Sequence, residues 1–237
     1  IDQFDATDKE IAIKSDSAVW NRKTDVTVAV GNVRYYSSEA NMICDKVTVF
    51  RKERRVILEG NVSMLIKPEK DAKLKVEELQ RIKAVSPEEV KPAKTKPTPQ
   101  QREEVRSTEN RRKYPVRVLA GKVEYWYGRG ERRALIDGKP QARQELSEGQ
   151  WRMIWCHQAM WNGETDLLTL LSEENKRTVR LRTSTDDDIT ARSAEISTAE
   201  DDERFSAVEP SGTVYGDEGE DEIPRPEPEK KPPPGSA

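Results

Sequence analysis

The chain is short of the residues that catalysis and metal binding most often use. One histidine and two cysteines occur among 237 residues, and no Cys-x-x-Cys is present. A structural zinc site takes three or four convergent nitrogen or sulfur ligands, so the composition argues against one. There is no excess of either charge: 41 Lys and Arg stand against 44 Asp and Glu. A dedicated nucleic-acid binder normally carries a basic excess, so that class is disfavoured. Long apolar runs are missing too, with nothing near the roughly 18 residues that span a bilayer as a helix. Hydrophobic residues make up 34% and charged residues 36%. That balance suits an extended β architecture with one sequestered face better than a thick globular core. Cys44 and Cys156 are far apart in sequence; buried small hydrophobes are the favoured reading, and a bridge between them stays open. The chain opens on Ile1, so an export signal is not visible within it and export is an inference.

What is present is a repeat. Ala18-Val19-Trp20-Asn21-Arg22-Lys23-Thr24-Asp25 matches Ala159-Met160-Trp161-Asn162-Gly163-Glu164-Thr165-Asp166 at five of eight positions. Val30-Gly31-Asn32-Val33 returns as Glu59-Gly60-Asn61-Val62, and looser copies run over Val123–Gly138 and Ala194–Val208. Each unit reads as a strand, a polar turn and a second strand that ends in Gly-Asn or Gly-Lys. The strands alternate: Val26, Val28 and Val30 against Thr27 and Ala29, Val47 and Val49 against Lys46 and Thr48, Val56 and Leu58 against Ile57 and Glu59. A period of two gives one buried and one wet face. Asn162-Gly163 predicts a tight type I′ hairpin with φ > 0 at both residues. Glycine at the strand ends predicts a bulge or bend where a sheet turns a corner.

This pattern spans 1–67 and resumes over 114–215. The segment 68–113 is rich in Lys and Pro and reads as an inserted linker, with a weak helix over Asp71–Ala84 and a capping box at Thr98-Pro99-Gln100-Gln101. Any helix after that box is polar all round, which predicts solvation rather than packing. From 216 to 237 the chain is acidic and then Pro-rich, the composition of a disordered tail.

Motifs for chemistry are sparse. His157 lies in a strand-like stretch, Trp151–Trp161, without partner spacing for a metal. Gly128-Arg129-Gly130 is a hairpin turn, because no helix follows it. Asp186-Asp187-Asp188 and Glu200-Asp201-Asp202-Glu203 lack the spaced form of a calcium loop and read as solvated turns. The five tryptophans fall on strands beside aliphatics, which favours packing over base stacking. The expectation is a non-enzyme with no cofactor and no metal.

The unit Asp45-Lys46-Val47-Thr48-Val49-Phe50-Arg51-Lys52-Glu53-Arg54-Arg55-Val56-Ile57-Leu58-Glu59-Gly60-Asn61-Val62 resembles the repeat of the OstA-like (LptA-type) family, in which strands close on Leu-x-Gly-Asn-Val. Val28-Ala29-Val30-Gly31-Asn32-Val33 repeats that ending, and Ala134–Lys139 is a degenerate copy. The resemblance implies an all-β fold, a β-jellyroll of V-shaped antiparallel strands. It further implies a periplasmic protein whose apolar lumen holds lipopolysaccharide acyl chains and whose edges pair with other transport proteins or with itself. By the alternation, Val28, Val30, Val47, Val49, Val56, Leu58, Ile136, Leu168 and Leu170 are expected to line that lumen. A structural envelope scaffold with a dry interior is the alternative.

Overall fold

The computed structural model describes residues 4–7, 11–37, 40–67, 83–90, 97–107, 113–146, 149–199, 202 and 204–214. The segment 216–237, residues 200, 201 and 203 of the second acidic cluster, and all but the last two residues of the expected helix 71–84 lie outside that set. The fold is all-β and antiparallel, a single seventeen-stranded sheet of the β-jellyroll type expected from the sequence.

In chain order the strands are β1 (Phe4–Thr7), β2 (Ile11–Ser15), β3 (Ser17–Asn21), β4 (Val26–Ser37), β5 (Ala40–Phe50), β6 (Arg55–Ile66), β7 (Val116–Trp126), β8 (Arg133–Asp137) and β9 (Gln141–Glu145). They continue with β10 (Trp151–Trp155), β11 (Gln158–Asn162), β12 (Leu167–Leu171), β13 (Val179–Thr183), β14 (Asp188–Ala191), β15 (Ser193–Ser197), β16 (Phe205–Val208) and β17 (Ser211–Thr213). Strands as long as β4 to β7 do not lie flat. Each has a break in its middle, and the two halves pair within different parts of the ladder. The halves nearer one set of tips join β1, β2, β9, β10, β13, β14 and β17 into a first leaf. The other halves join β3, β8, β11, β12, β15 and β16 into a second.

The corner between the leaves is where the Gly-Asn of the repeat sits. Register slips between Val30 and Val33 in β4 and between Glu59 and Val62 in β6. The bulge residues are left-handed: Gly31 and Asn32 at φ 79° and 44°, Gly60 and Asn61 at 78° and 48°. Glycine takes that conformation without steric cost, and asparagine tolerates it better than most residues. An aspartate on the neighbouring strand completes each corner. Asn32 Nδ2 donates to Asp16 Oδ2 at 2.9 Å and Asn61 Nδ2 to Asp45 Oδ2 at 2.8 Å. The strands therefore do not end at Gly-Asn, as the repeat suggested; they bend there and run on. Gly138 and Lys139, at φ 82° and 60°, make the same turn opposite Gly121.

Turns at the tips of the second leaf explain the Trp-Asn…Thr-Asp recurrence. Asn21 Oδ1 accepts the backbone N–H groups of Lys23 and Thr24, and Asn162 Oδ1 those of Glu164 and Thr165. The left-handed residue is the closing aspartate, Asp25 at φ 58° and Asp166 at 48°. Asn162-Gly163 is thus not the two-residue I′ turn expected; the asparagine folds a longer loop by side-chain capping.

Inner faces of the two leaves share one hydrophobic cluster. On the second leaf a cross-strand row runs without a polar residue through Ala18, Ala29, Val47, Leu58, Val123, Ile136, Ala159, Leu170, Ala194 and Ala207. On the first leaf the matching row is Ile13, Tyr35, Met42, Met64, Val118, Ala142, Ile154, Leu181 and Ile189.

The first leaf is also covered on its outer side. Trp155 Nε1 donates to Val85 O at 2.8 Å, Val85 N–H to Gln141 Oε1 at 2.9 Å, and Arg182 Nη1 to Pro87 O and Val90 O at 2.7 and 2.8 Å. Helix α1 (Pro99–Arg106) starts at the Thr98 capping box. It is not a purely solvated helix: Val105 is 2% exposed, and Arg106 pairs with Asp187 at 3.1 Å. Asp187 is itself buried and accepts from Thr183 Oγ1, so the first acidic cluster is not a solvated turn. Met153, on that outer face, is fully excluded from solvent.

Candidate functional site

Among the described residues, the space between the leaves gathers apolar surface on two facing walls. Through the middle of the ladder the walls meet: Val33, Cys44, Val47 and Val56 are 0% exposed. Toward the C-terminal end burial becomes uneven: Ala159, Leu170 and Ala194 are still buried, while Ala142, Ile154, Leu181 and Ile189 on the first leaf and Ala134, Leu168 and Ala207 on the second are only half-buried. An open cleft of about 370 Å³ lies at that end, lined by Ile189, Phe205, Ala207, Pro210, Ser211, Gly212 and Val214. That volume is at the lower end of small-molecule sites. Phe205 and Val214 are 38% and 57% exposed there, so apolar surface reaches the mouth.

Of the nine residues expected to line the lumen, Val47, Val49, Val56, Leu58, Ile136 and Leu170 are buried on the inner faces, and Leu168 is half-buried beside them. Val28 and Val30 stand on the opposite face. Val30 is 40% exposed, and its row continues through Lys46, Glu59, Lys122 and Asp137, an alternating charge ladder in which Lys46 and Glu59 pair at 2.9 Å. Thr27 and Ala29 hold the inner positions instead. With apolar residues at both parities of Val26–Val30, the pairing of Ala29 with Val47 decides the face, not the strand's own pattern.

Sequence reading missed Ile154, Leu181, Ile189 and Phe205. A signal existed for Leu181: Val179-Arg180-Leu181-Arg182-Thr183 alternates cleanly, and its arginines face outward to Glu88 and Asp188. Asp188 is held below the usual carboxylate range chiefly by its hydrogen bond from Arg180.

Neither cysteine is poised for chemistry. Neither is in a disulfide and both are buried, and burial pushes the Cys156 thiol up to about 12. His157 sits not within a strand but at the corner between β10 and β11, where its N–H donates to Leu171 O at 2.9 Å. Among the described residues no cluster of His, Cys, Asp and Glu is arranged to hold a metal, and no helix is long and apolar enough to cross a membrane.

No protein-family model matches the chain, and no curated protein matches it in sequence. Among solved structures it is similar to LptH, described as the LptA homologous periplasmic component of the conserved lipopolysaccharide transport device from Pseudomonas aeruginosa. The identity is 13% and the TM-score 0.45, over 73% of this chain and 92% of that one.

The two ends of the ladder remain unpaired among the described strands. β3 pairs only with β4 at one end, and β16 and β17 pair only with β15 and β14 at the other. The arrangement offers apolar walls on two sides, an open cleft at one end, and open backbone edges beside it.

Proposed function

We propose that this protein is a non-enzymatic, periplasmic lipid-binding module that takes acyl chains of lipopolysaccharide or a related lipid between its leaves. It then serves as one element of a bridge toward the outer membrane. The observation that carries this reading is the pair of apolar inner rows, which run from strand to strand, with an open cleft at the β16–β17 end. An acyl chain entering there would meet hydrophobic walls on both sides, and each buried CH₂ contributes about 0.8 kcal/mol. The guest would part the leaves as it moved inward, because the central walls are in contact. The resemblance of the repeat to OstA-like proteins supports the same assignment, and the open edges suit pairing with transport proteins or a second copy by strand addition. The lining residues put forward are Leu168, Leu181, Ile189, Phe205 and Ala207 at the mouth, with Val47, Val49, Val56, Leu58, Ile136 and Leu170 deeper.

A photo-crosslinking residue at Ile189 or Leu181, in cells making lipopolysaccharide, should label lipid far more strongly than one at the turn residue Lys52. Equal labelling would remove the carrier reading. A second reading is favoured by the closed centre: a structural β-repeat scaffold whose interior is filled by its own side chains. Native mass spectrometry of detergent-free protein separates them, since a carrier retains lipid and a scaffold is recovered bare.

A further inference from the structure

The hairpin tips of the second leaf carry a feature that guest binding does not use. Of three successive tips, linking β3 to β4, β5 to β6 and β7 to β8, the first two each hold more cations than acids, and the third sets exposed Arg129 and half-buried Arg132 against Glu131. The first presents Arg22 and Lys23, the second Arg51, Lys52 and Arg54, the third Arg129. All six are exposed, and none makes an ion pair with another described residue. The acids beside them are already engaged or outnumbered. Asp25 accepts from Trp20 Nε1 at 3.2 Å, and Glu53 is taken by Arg55 at 2.6 Å. A fourth tip, between β11 and β12, carries Glu164 and Asp166 instead, so the basic run stops there.

Aromatic rings lie between the cations. Trp20 is 50% exposed with the Arg22 guanidinium 5.4 Å above its ring, and Phe50, Arg55, Trp126 and Arg133 follow one another in register. Arg55 stacks on Phe50 at 4.2 Å and Arg133 on Trp126 at 4.5 Å. Adjacent strands are about 4.8 Å apart, so the three tips follow one another over roughly 19 Å along the sheet, the width of a few lipid head groups. In a chain with a net charge of −3 this rail of tips is a local departure from the overall balance.

We propose that this rail docks the protein on the face of an anionic phospholipid bilayer, with the tip cations over the phosphates and Trp20 at the head-group level. Uncompensated cations supply the attraction, and half-exposed tryptophan suits the polar–apolar boundary better than bulk water. The Arg22 and Arg133 guanidiniums, each lying over a ring, add to the positive charge of the tips, whereas Arg55 is taken up by Glu53 and Glu124. The rail stands apart from the cleft, so the docking is independent of whether a guest enters between the leaves.

The test is flotation of the full chain with phosphatidylcholine vesicles, with and without phosphatidylglycerol as a minor component. The wild type should float only with the anionic vesicles and should be released at about 0.5 M salt, where the Debye length falls to about 4 Å. Each basic side chain near an anionic surface strengthens binding about five-fold, so neutralising three in Arg22→Gln/Lys52→Gln/Arg129→Gln should weaken it on the order of 100-fold, and Arg22→Glu/Lys52→Glu/Arg129→Glu should weaken it further. Arg117→Glu, an exposed reversal on the outer side of the first leaf, should leave it within about two-fold, since it lies off the rail. Circular dichroism of both triple variants confirms the fold. Equal flotation with neutral vesicles, retained binding by a folded triple variant, or tighter binding to RNA than to vesicles would each overturn the proposal.

Discussion

Replacing Gly60 by alanine is the sharpest probe of how the leaves are folded against one another. Gly60 is at φ +78°, and a Cβ built there would lie 2.5 Å from Asp45 Oδ2 and 2.9 Å from Asp45 Cβ. Two costs follow. Holding alanine in the left-handed region costs about 1–2 kcal/mol. Pushing the Asp45 side chain aside also loosens the hydrogen bond from Asn61, adding about 1 kcal/mol at this exposed position. The expected loss is about 2–3 kcal/mol. With a urea slope near 2.5 kcal/mol/M, that lowers the midpoint by about 1 M in unfolding followed by tryptophan fluorescence. Gly130 provides the reference, because it has the same φ of +78° with nothing within 4 Å of the built Cβ. Gly130→Ala should therefore show the backbone part alone, about 1–2 kcal/mol. Adding Asp45→Gly to Gly60→Ala, which removes the Asp45 side-chain atoms that the new Cβ would meet, should return about 1 kcal/mol as a coupling between the two sites. If Gly60→Ala costs no more than Gly130→Ala, the aspartate is not part of the corner and the reasoning fails.

Leu58→Ala should destabilise by about 3 kcal/mol, whereas Val30→Ser should stay within about 0.5 kcal/mol; comparable losses in denaturant titration would put Val30 back on the inner face. Acid titration of stability should distinguish wild type from Asp188→Asn. The folded state holds the Asp188 carboxyl below the ordinary aspartate value of about 3.9, so its contribution is complete above that pH and disappears as pH falls through the lower folded value. The wild-type advantage should shrink below about pH 4, and an advantage that grows in acid would contradict the Arg180 pairing. Iodoacetamide at pH 8 should label neither Cys44 nor Cys156 in the native protein and both in urea, as mass spectrometry would report; native labelling of Cys156 would mean its burial is transient.

How far the sequence carried the argument differs from one element to the next. The repeat announced the architecture because its ingredients are local: a capping asparagine, a closing aspartate, and a Gly-Asn that can take positive φ. Side-chain facing was harder. In β5 and β6 the charged residues mark the outer side, so Val47, Val56 and Leu58 could be placed. In Val26–Val30 nothing polar marks it, and pairing with β5 decided against the valines. Asn162-Gly163 misled because the same dipeptide serves two turns, and the left-handed residue proved to be Asp166. Coverage of the first leaf was not legible at all. The bonds from Trp155 to Val85 and from Arg106 to Asp187 join positions 70 and 81 residues apart, and no periodicity within either partner announces them. The mouth was missed for a related reason: Ile189 and Phe205 belong to strands of only four residues, too short to show a period.

β6 and β7 pair at ten positions, from Arg55 with Trp126 to Ile66 with Val116, although the whole of 67–115 lies between them. The long excursion leaves and re-enters the ladder at neighbouring rungs, so to the sheet it is equivalent to a tight hairpin. Loop-closure entropy grows only with the logarithm of length, which makes such an addition thermodynamically mild. Every tip of the ladder is for that reason a place where new chain can be grafted, and the parts at 83–90 and 97–107 that fold back on the first leaf illustrate what a graft can become: a second skin over a wall already facing inward.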